Sequence, residues 1–234
     1  MPKGDTAETR AVTLVDVPLV KRLSENGMVL DSELRYTQDA TGAHSASLIT
    51  LLLPYRGVYT LITRAESQQV VGQFRLRHDD AYAQIAYVAP APADGEDDTA
   101  WLHVLDAMAI EAGRRGAHLL TAEVEENMVL FRTMRTANYA IYARQEIWCR
   151  VPDCTITHQP RHAVELTSID DDDVNGIALL YGNIVPKLVQ PVTELPGVDE
   201  GFVYRKDDRV EGCIGMVEGR TGIYDTPFAP GCFQ

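Results

Sequence analysis

A repeated order of short motifs limits the fold of this sequence more than any other feature. Three motifs, residues 11–14 (AVTL), 57–60 (GVYT) and 70–74 (VVGQF), recur in the same order at residues 163–166 (AVEL), 201–204 (GFVY) and 210–214 (VEGCI). The offset of about 140–152 residues indicates that one structural unit has been duplicated. The second copy reaches only its third hairpin strand by Gln234, so we predict one whole domain followed by the N-terminal half of another.

The two copies are separated by residues 152–161. This stretch contains Pro152 and Pro160 and has no hydrophobic periodicity, which is typical of a linker. We therefore predict a first domain at residues 8–151, a linker at residues 152–161 and a partial second domain at residues 162–234. The unfinished sheet of the second domain would expose strand edges. We expect the first domain, a homo-oligomer or a segment beyond Gln234 to cover them.

Hydrophobic periodicity in the first domain alternates between the patterns of strands and helices. The predicted elements are strands at residues 11–15, 58–63, 70–77, 83–89, 118–124 and 139–151, a helix or loop within residues 31–47, and helices that begin at Asp16, at Asp98 or Thr99, and at Asn127. The order β-α-β-β-β-α-β-α-β combines antiparallel hairpins with a parallel crossover. It predicts the α/β (mixed α+β) class, with a central mixed sheet flanked by helices.

The charge of the chain excludes several classes of partner. Lys and Arg number 21 against 34 Asp and Glu, which gives a net charge of −13. Nucleic acids and anionic membranes are bound through basic residues, so we expect neither as a partner. An acidic protein suits a cationic partner, such as a small amine or a basic peptide.

The longest apolar stretch, residues 48–55, is too short to span a membrane, and four cysteines make no disulfide framework. We therefore expect a cytoplasmic protein.

Four motifs in a fixed order then identify a family. They are residues 70–74 (VVGQF), 87–90 (YVAP), 112–117 (AGRRGA) and 119–124 (LLTAEV), the last followed by Asn127. With these motifs the first 150 residues resemble the GNAT family of acyl-CoA-dependent N-acetyltransferases, and residues 163–234 resemble the front half of a second copy. The resemblance implies the GNAT-like acyl-CoA N-acyltransferase fold and transfer of an acetyl group from acetyl-CoA to an amine.

The resemblance also implies the positions of functional residues. It assigns cofactor binding to Ala86, Val88, Thr99 and Asn127, a general base to Glu123 and a displaced acid to Tyr139. Each assignment has a structural alternative. Asn127 could cap the following helix, Glu123 could lie on a solvated strand face, and Tyr139 could be a packing residue.

Two parts of the sequence depart from the family pattern. The loop that would hold the cofactor pyrophosphate carries three carboxylates, Glu96, Asp97 and Asp98, and has Thr99 and Trp101 where the family has small residues. The usual Tyr acid falls on Met134. These departures oppose acetyl-CoA binding and leave a second hypothesis open, namely a non-catalytic GNAT-fold binding or scaffold module that acts through a protein partner.

Possible metal ligands occur near the predicted linker. Cys149, Cys154, His158 and His162 lie within 14 residues, but their spacing matches no familiar zinc motif. We interpret them as a strand end and linker, and we interpret the acidic run at residues 170–173 as a helix start that complements the helix dipole. No metal site is predicted.

Overall fold

The computed structural model describes residues 7–38, 57–65, 68–76, 81–150, 165–230 and 232. The chain forms two compact units, Met1–Ala140 with Gly219–Gly222, and Ile141–Glu218 with Ile223–Gln234. The predicted linker at residues 152–161 lies outside the described residues, so the predicted domain boundaries stay a prediction.

The first unit is a mixed sheet with helices on both faces. Its elements are β1 (Glu8–Ala11), α1 (Val17–Ser24), β2 (Met28–Val29), α2 (Ser32–Thr37), β3 (Val58–Ala65), β4 (Gln68–Leu76), β5 (Tyr82–Ala89), α3 (Thr99–Arg114), β6 (Leu119–Thr121) and α4 (Val129–Thr136). Strands β1, β3, β4 and β5 pair antiparallel in that order. The remaining edge of β5 pairs with β6 in parallel and with β2 antiparallel. The predicted fold class, a central mixed sheet flanked by helices, is confirmed.

Two hydrophobic layers hold this sheet. Trp101 and Met108 of α3 are buried against one face, and Val20 of α1 packs with Val71 against the other. Each such side chain contributes about 1.5–3 kcal/mol when it is fully buried. Gly72 of β4 allows α3 to approach closely, because a Cβ atom there would lie 2.7 Å from the Sδ atom of Met108.

The first predicted strand is displaced. Residues 11–15 were expected to be extended, but β1 ends at Ala11 and Leu14–Asp16 is a 3-10 turn. The Asp16 carboxylate causes this turn, because its Oδ2 atom accepts hydrogen bonds from the N–H and the hydroxyl of Thr13, at 2.9 and 2.7 Å. Helix α1 then begins after Asp16, as predicted.

The predicted final strand at residues 139–151 is wrong. Residues 139–150 have no regular secondary structure, and Trp148 is 88% exposed. Helix α4 is ended by Asn138 in the left-handed conformation, with φ of 65°, and the N–H of Tyr139 returns to the carbonyl of Met134 at 3.0 Å. Among the described residues, β6 pairs with β5 alone. The apolar segment after α4 therefore has no strand partner there.

The second unit is a small antiparallel sheet with one main helix. Its elements are β7 (Thr167–Ser168), α5 (Val174–Ile184), a 3-10 turn (Gln190–Val192), β8 (Gly201–Lys206), β9 (Arg209–Glu218) and β10 (Ile223–Phe228), with the strand order β10-β9-β8-β7. Its core includes Ile177, Val203, Cys213 and Phe228. The strand expected at residues 163–166 begins instead at Thr167, and residues 163–164 lie outside the described residues. In the described parts of the chain, no helix is long and apolar enough to cross a membrane.

Each unit has a buried aspartate at the start of its first long helix. Arg10 contacts Asp16 with two hydrogen bonds of 2.7 Å, and these bonds and those from Thr13 hold the pKa of Asp16 far below its usual range. In the second unit, burial alone would raise the pKa of Asp173. The Asp170 N–H and the Arg205 guanidinium outweigh burial and lower that pKa.

We predict that Asp16→Asn lowers the free energy of unfolding by about 1–2 kcal/mol at pH 7, because it removes charge-assisted hydrogen bonds from a buried oxygen. A carboxylate whose pKa is depressed in the folded state stabilises the fold above the unfolded pKa of about 3.9, and this stabilisation is lost as the pH falls below that value. The difference between wild type and variant should therefore shrink from pH 7 to pH 3 in urea unfolding followed by tryptophan fluorescence. Glu25→Gln, at an exposed position just after α1, is the control. An equal difference at both pH values would contradict the prediction.

We also predict that Gly201→Ala disrupts the second unit. Gly201 of β8 faces Gly215 of β9, and a Cβ atom at Gly201 would overlap the carbonyl of Ile214. Because backbone atoms cannot move aside as a flexible side chain can, we expect a loss of about 3 kcal/mol or more. Gly182→Ala is the matched control, since a Cβ atom on that helix meets nothing within 4 Å. Urea unfolding followed by circular dichroism should separate the two, and equal stability would refute the packing argument.

Candidate functional site

A β-bulge interrupts β5 at the position that the sequence motifs assigned to a cofactor. Gln73 of β4 pairs with Tyr87, but the next residue of β4, Phe74, pairs with Ile85. Ala86 is therefore the extra residue. Ala86 and Tyr87 both face the α1 side of the sheet. A bulge of this kind bends its strand and increases the local twist.

Strands β5 and β6 separate at the bulge. The parallel pairing with β6 covers only residues 82–84 of β5. Beyond them, the edge formed by residues 86–88 faces the chain that follows β6 across an opening, which we call the β5–β6 cleft. Ala86 and Val88, two of the predicted cofactor-binding residues, lie on this edge.

The chain fills the cleft with its own backbone. Met28 pairs with Val88 and Val29 pairs with Tyr87. The next residue, Leu30, donates its N–H to the Ala86 carbonyl at 2.9 Å.

On its other side, Leu30 bonds to the chain after β6. Its carbonyl accepts the N–H of Glu123 at 3.0 Å. Leu30 is therefore a strand-like residue between Ala86 and Glu123, and its side chain is only 1% exposed.

Polar contacts hold the residues after Leu30. Asp31 is buried, accepts the N–H of Leu34 at its Oδ1 atom over 2.9 Å, and forms an ion pair with Arg75 of β4. The N–H of Ser32 donates to the Oε2 atom of Glu123 at 2.8 Å. We call residues 28–32 the strap. Glu123, the predicted general base, contacts this strap.

Carboxylates of the loop before α3 accept its backbone donors. Glu96 accepts the N–H of Ala93 at 3.1 Å and the side-chain amide of Gln68 at 3.0 Å. Asp97 accepts the N–H of Thr99 at 3.2 Å and the Thr99 hydroxyl at 2.7 Å. Thr99, predicted to bind the cofactor, is therefore engaged by a neighbouring carboxylate.

Trp101 fills the space between this loop and the sheet. Its side chain is 1% exposed, and its indole Nε1 atom donates to the Pro90 carbonyl at 2.8 Å. The Asp98 carbonyl accepts the first helical hydrogen bond, from Leu102 at 3.0 Å. Helix α3 thus begins where the sequence predicted.

The candidate acid is engaged in packing. The hydroxyl of Tyr139 donates to the Leu105 carbonyl at 3.2 Å, and burial raises the pKa of this phenol above its ordinary value. Met134, at the position of the usual family acid, is buried in the core. Neither side chain reaches the strap in any hydrogen bond between described residues.

Asn127 and Cys149 are both exposed. Helix α4 takes Met128 as its N-cap, so Asn127 lies one residue before the cap position. Cys154, His158 and His162 lie outside the described residues. Within the described ranges, no cluster of three or more His, Cys, Asp or Glu could hold a metal ion.

Comparisons with known proteins found solved structures that are similar to this chain, but no match by sequence. No family model matches the sequence, and no curated protein matches it. An aminoglycoside N-acetyltransferase in complex with CoA is 14% identical, with a TM-score of 0.47 over 65% of this chain and 99% of its own. A predicted acetyltransferase with acetyl-CoA from Clostridium acetobutylicum is 12% identical, with a TM-score of 0.41 over 62% of this chain and 96% of its own. A GNAT family acetyltransferase from Staphylococcus aureus is 12% identical, with a TM-score of 0.37 over 62% and 98%.

The chain is similar to GNAT acetyltransferases in structure.

The described residues do not fit the acyl-CoA cofactor of GNAT enzymes. The edge at residues 86–88 is paired with the strap, and the loop donors at Ala93 and Thr99 are bonded to carboxylates. A phosphate charge about 5 Å from one of these carboxylates would be repelled by roughly 3 kcal/mol at an effective dielectric constant of about 20. The β5 edge and two backbone donors of the loop before α3 are therefore engaged by the chain itself.

The strap was missed by the motif comparison. Asp31 followed by α2 is a recognisable N-cap signal, and Asp31 does cap α2. The pairing of Leu30 with Ala86 has no local sequence signal, since the two residues lie 56 positions apart in the sequence. Arg75, the charge partner of Asp31, was also missed.

We predict that Tyr139 does not ionise near pH 10 as an ordinary tyrosine does, because burial of the phenol raises its pKa. Ultraviolet absorbance titrations of wild type and Tyr139→Phe should therefore superimpose from pH 8 to about pH 11. The variant should lose about 0.5–1.5 kcal/mol in the free energy of unfolding, the net value of one hydrogen bond. A missing titration step in the variant within that pH range would show that Tyr139 is available as an acid.

Proposed function

We propose that this chain is a GNAT-family protein whose first unit acts as a non-catalytic binding or scaffold module rather than as an acetyltransferase. The observation that supports this most is the engagement of the cofactor loop. Backbone N–H groups at a helix start attract phosphate only while they are unbonded. Here the loop N–H groups of Ala93 and Thr99 already bind the carboxylates of Glu96 and Asp97.

The candidate acid and base support the same proposal. Transfer from a thioester to an amine requires a group that can release a proton and one that can accept it. Tyr139 donates to a backbone carbonyl, and one carboxylate oxygen of Glu123 accepts the N–H of Ser32. Both side chains therefore form hydrogen bonds within the protein, whereas catalysis would require them to exchange protons with the amine substrate or the thiolate.

The partner that we propose is basic. A net charge of −13 favours encounter with a cationic surface, such as a basic peptide segment of another protein. We place the protein in the reducing cytoplasm, since the described cysteines Cys149, Cys213 and Cys232 are free thiols.

We propose that residues 162–234 are the front half of a second GNAT-like domain. Its elements run strand, helix and three antiparallel strands. The first unit also begins with a strand and a helix and continues to three antiparallel strands, β3, β4 and β5. It differs in having β2 and α2 before those three strands. The predicted internal duplication rests on this order.

A second candidate is an N-acetyltransferase that transfers an acetyl group from acetyl-CoA to a small amine. The bulge at Ala86 and the separation of β5 from β6 favour it, because together they create the opening that a strand-like ligand would need. This candidate requires the strap to leave the opening.

We predict that the 234-residue chain gives no binding heat with acetyl-CoA up to about 1 mM in calorimetry. It should also release no CoA thiol when acetyl-CoA is mixed with a polyamine or a lysine-rich peptide. A CoA-binding acetyltransferase run in the same buffer is the positive control. Binding at micromolar concentration would overturn the non-catalytic proposal and favour the second candidate.

The loop itself can be tested with inorganic pyrophosphate as the probe. The double variant Glu96→Gln with Asp97→Asn removes two carboxylate charges beside the helix start, so we expect it to bind pyrophosphate at least tenfold more tightly than wild type. The matched control, Glu165→Gln with Asp171→Asn, removes the same charge from exposed positions. Equal affinities of the two double variants would show that the loop carboxylates do not block the site.

A further inference from the structure

We infer that the chain closes its own β5–β6 cleft with the strap, and that Glu123 is the positioning residue that holds the strap closed. This inference deepens the proposed non-catalytic function of the first unit and rests on it. In this view the strap fills the opening that the bulge creates between β5 and the chain after β6. It also gives Glu123 a role in place of the general base that the family resemblance implied.

The backbone of the strap matches the cleft. Leu30 donates to Ala86 on one side at 2.9 Å and accepts from Glu123 on the other at 3.0 Å. A residue that bonds to both neighbours in this way satisfies the polar groups that a separated strand pair would leave unpaired. Val88, the other predicted cofactor position, is paired with Met28. The strap therefore takes the backbone positions that a cofactor arm would need.

Glu123 holds the strap at two points. Its N–H binds the Leu30 carbonyl, and its Oε2 atom accepts the N–H of Ser32 at 2.8 Å. The two points lie on either side of Asp31, so one residue fixes both ends of a short segment. A carboxylate that accepts a backbone N–H forms a stronger bond than a neutral acceptor does. Removal of the Glu123 side chain should therefore loosen Ser32 more than Leu30.

A second anchor keeps Asp31 inside. Its carboxylate accepts the Leu34 N–H and pairs with Arg75, while the Leu30 side chain joins the core beneath α3. To leave the cleft, the strap would have to expose this leucine and separate the buried Asp31 carboxylate from the half-buried Arg75, and both changes are unfavourable. The anchors thus favour a permanently closed cleft over a lid that acetyl-CoA displaces.

The test is amide hydrogen exchange of Leu30 and Ser32 in the 234-residue chain, measured by nuclear magnetic resonance. In the wild type we expect both amides to be protected, with rates unchanged by 1 mM acetyl-CoA. Glu123→Ala should speed exchange at Ser32 at least tenfold. Glu123→Gln should change it less than Glu123→Ala does, because the neutral amide oxygen can still accept a weaker bond. Glu125→Ala, which removes an adjacent exposed carboxylate paired with Arg35, should leave Ser32 unchanged.

Two results would overturn the inference. One is exchange at Ser32 that is unaffected by Glu123→Ala. The other is faster exchange at both amides when acetyl-CoA is added to the wild type, which would make the strap a displaceable lid. If Glu123→Ala does not fold, Glu123→Asp decides, since its shorter side chain should lose the Ser32 bond and give the same tenfold effect.

The outcomes also separate this inference from the proposed function. Acetyl-CoA binding that leaves both amides protected would refute the non-catalytic proposal, because the cofactor would then have another site. The inference that the strap closes the β5–β6 cleft would remain supported in that case.

Discussion

The extra residue in β5, Ala86, is the feature on which the first unit depends. A strand of regular pleat alternates its side chains between two faces, whereas the bulge places Ala86 and Tyr87 together on the α1 face. The strand bends at this point, so the parallel pairing with β6 ends after residue 84. An opening in the middle of a sheet leaves backbone donors and acceptors that must find partners. The strap supplies them, and its position also brings the buried Asp31 carboxylate to Arg75 of β4.

Local carboxylates satisfy backbone donors at several turns of this chain. Asp16 binds the N–H of Thr13, Asp173 that of Asp170, and Glu96 and Asp97 bind the loop before α3. Each of these donors could otherwise bind water or an external anion. An acidic sequence thus builds its turns from its own anions, and a loop of this kind differs from a phosphate-binding loop even where the surrounding helix and strand are the same.

Local patterns predicted the hairpins β3–β4–β5 and the start of α3, because apolar alternation, turn residues and the Asp98 cap lie within a few residues of one another.

The final strand and the strap were not predictable in that way. Residues 139–150 have strand-like side chains, but a strand also needs a partner edge, which periodicity does not report. The strap depends on contacts of Leu30 with Ala86 and of Ser32 with Glu123. These contacts are distant in sequence and follow from the bulge, which no motif encodes. Among the candidate site residues, sequence reasoning located Ala86, Val88 and Glu123 at the cleft but not what fills it.

The two buried aspartates, Asp16 and Asp173, form the same local turn but pair with arginines from different places in the fold. In both units a carboxylate at the start of a helix accepts the N–H of the residue three positions earlier, and an arginine pairs with it. Arg10 comes from the strand just before the turn, whereas Arg205 comes from β8, the strand that pairs with β7. Because the turn itself needs only the carboxylate, the position of the arginine is free to differ. A strand-and-helix start that occurs in both units can therefore keep its local geometry while its long-range contacts differ.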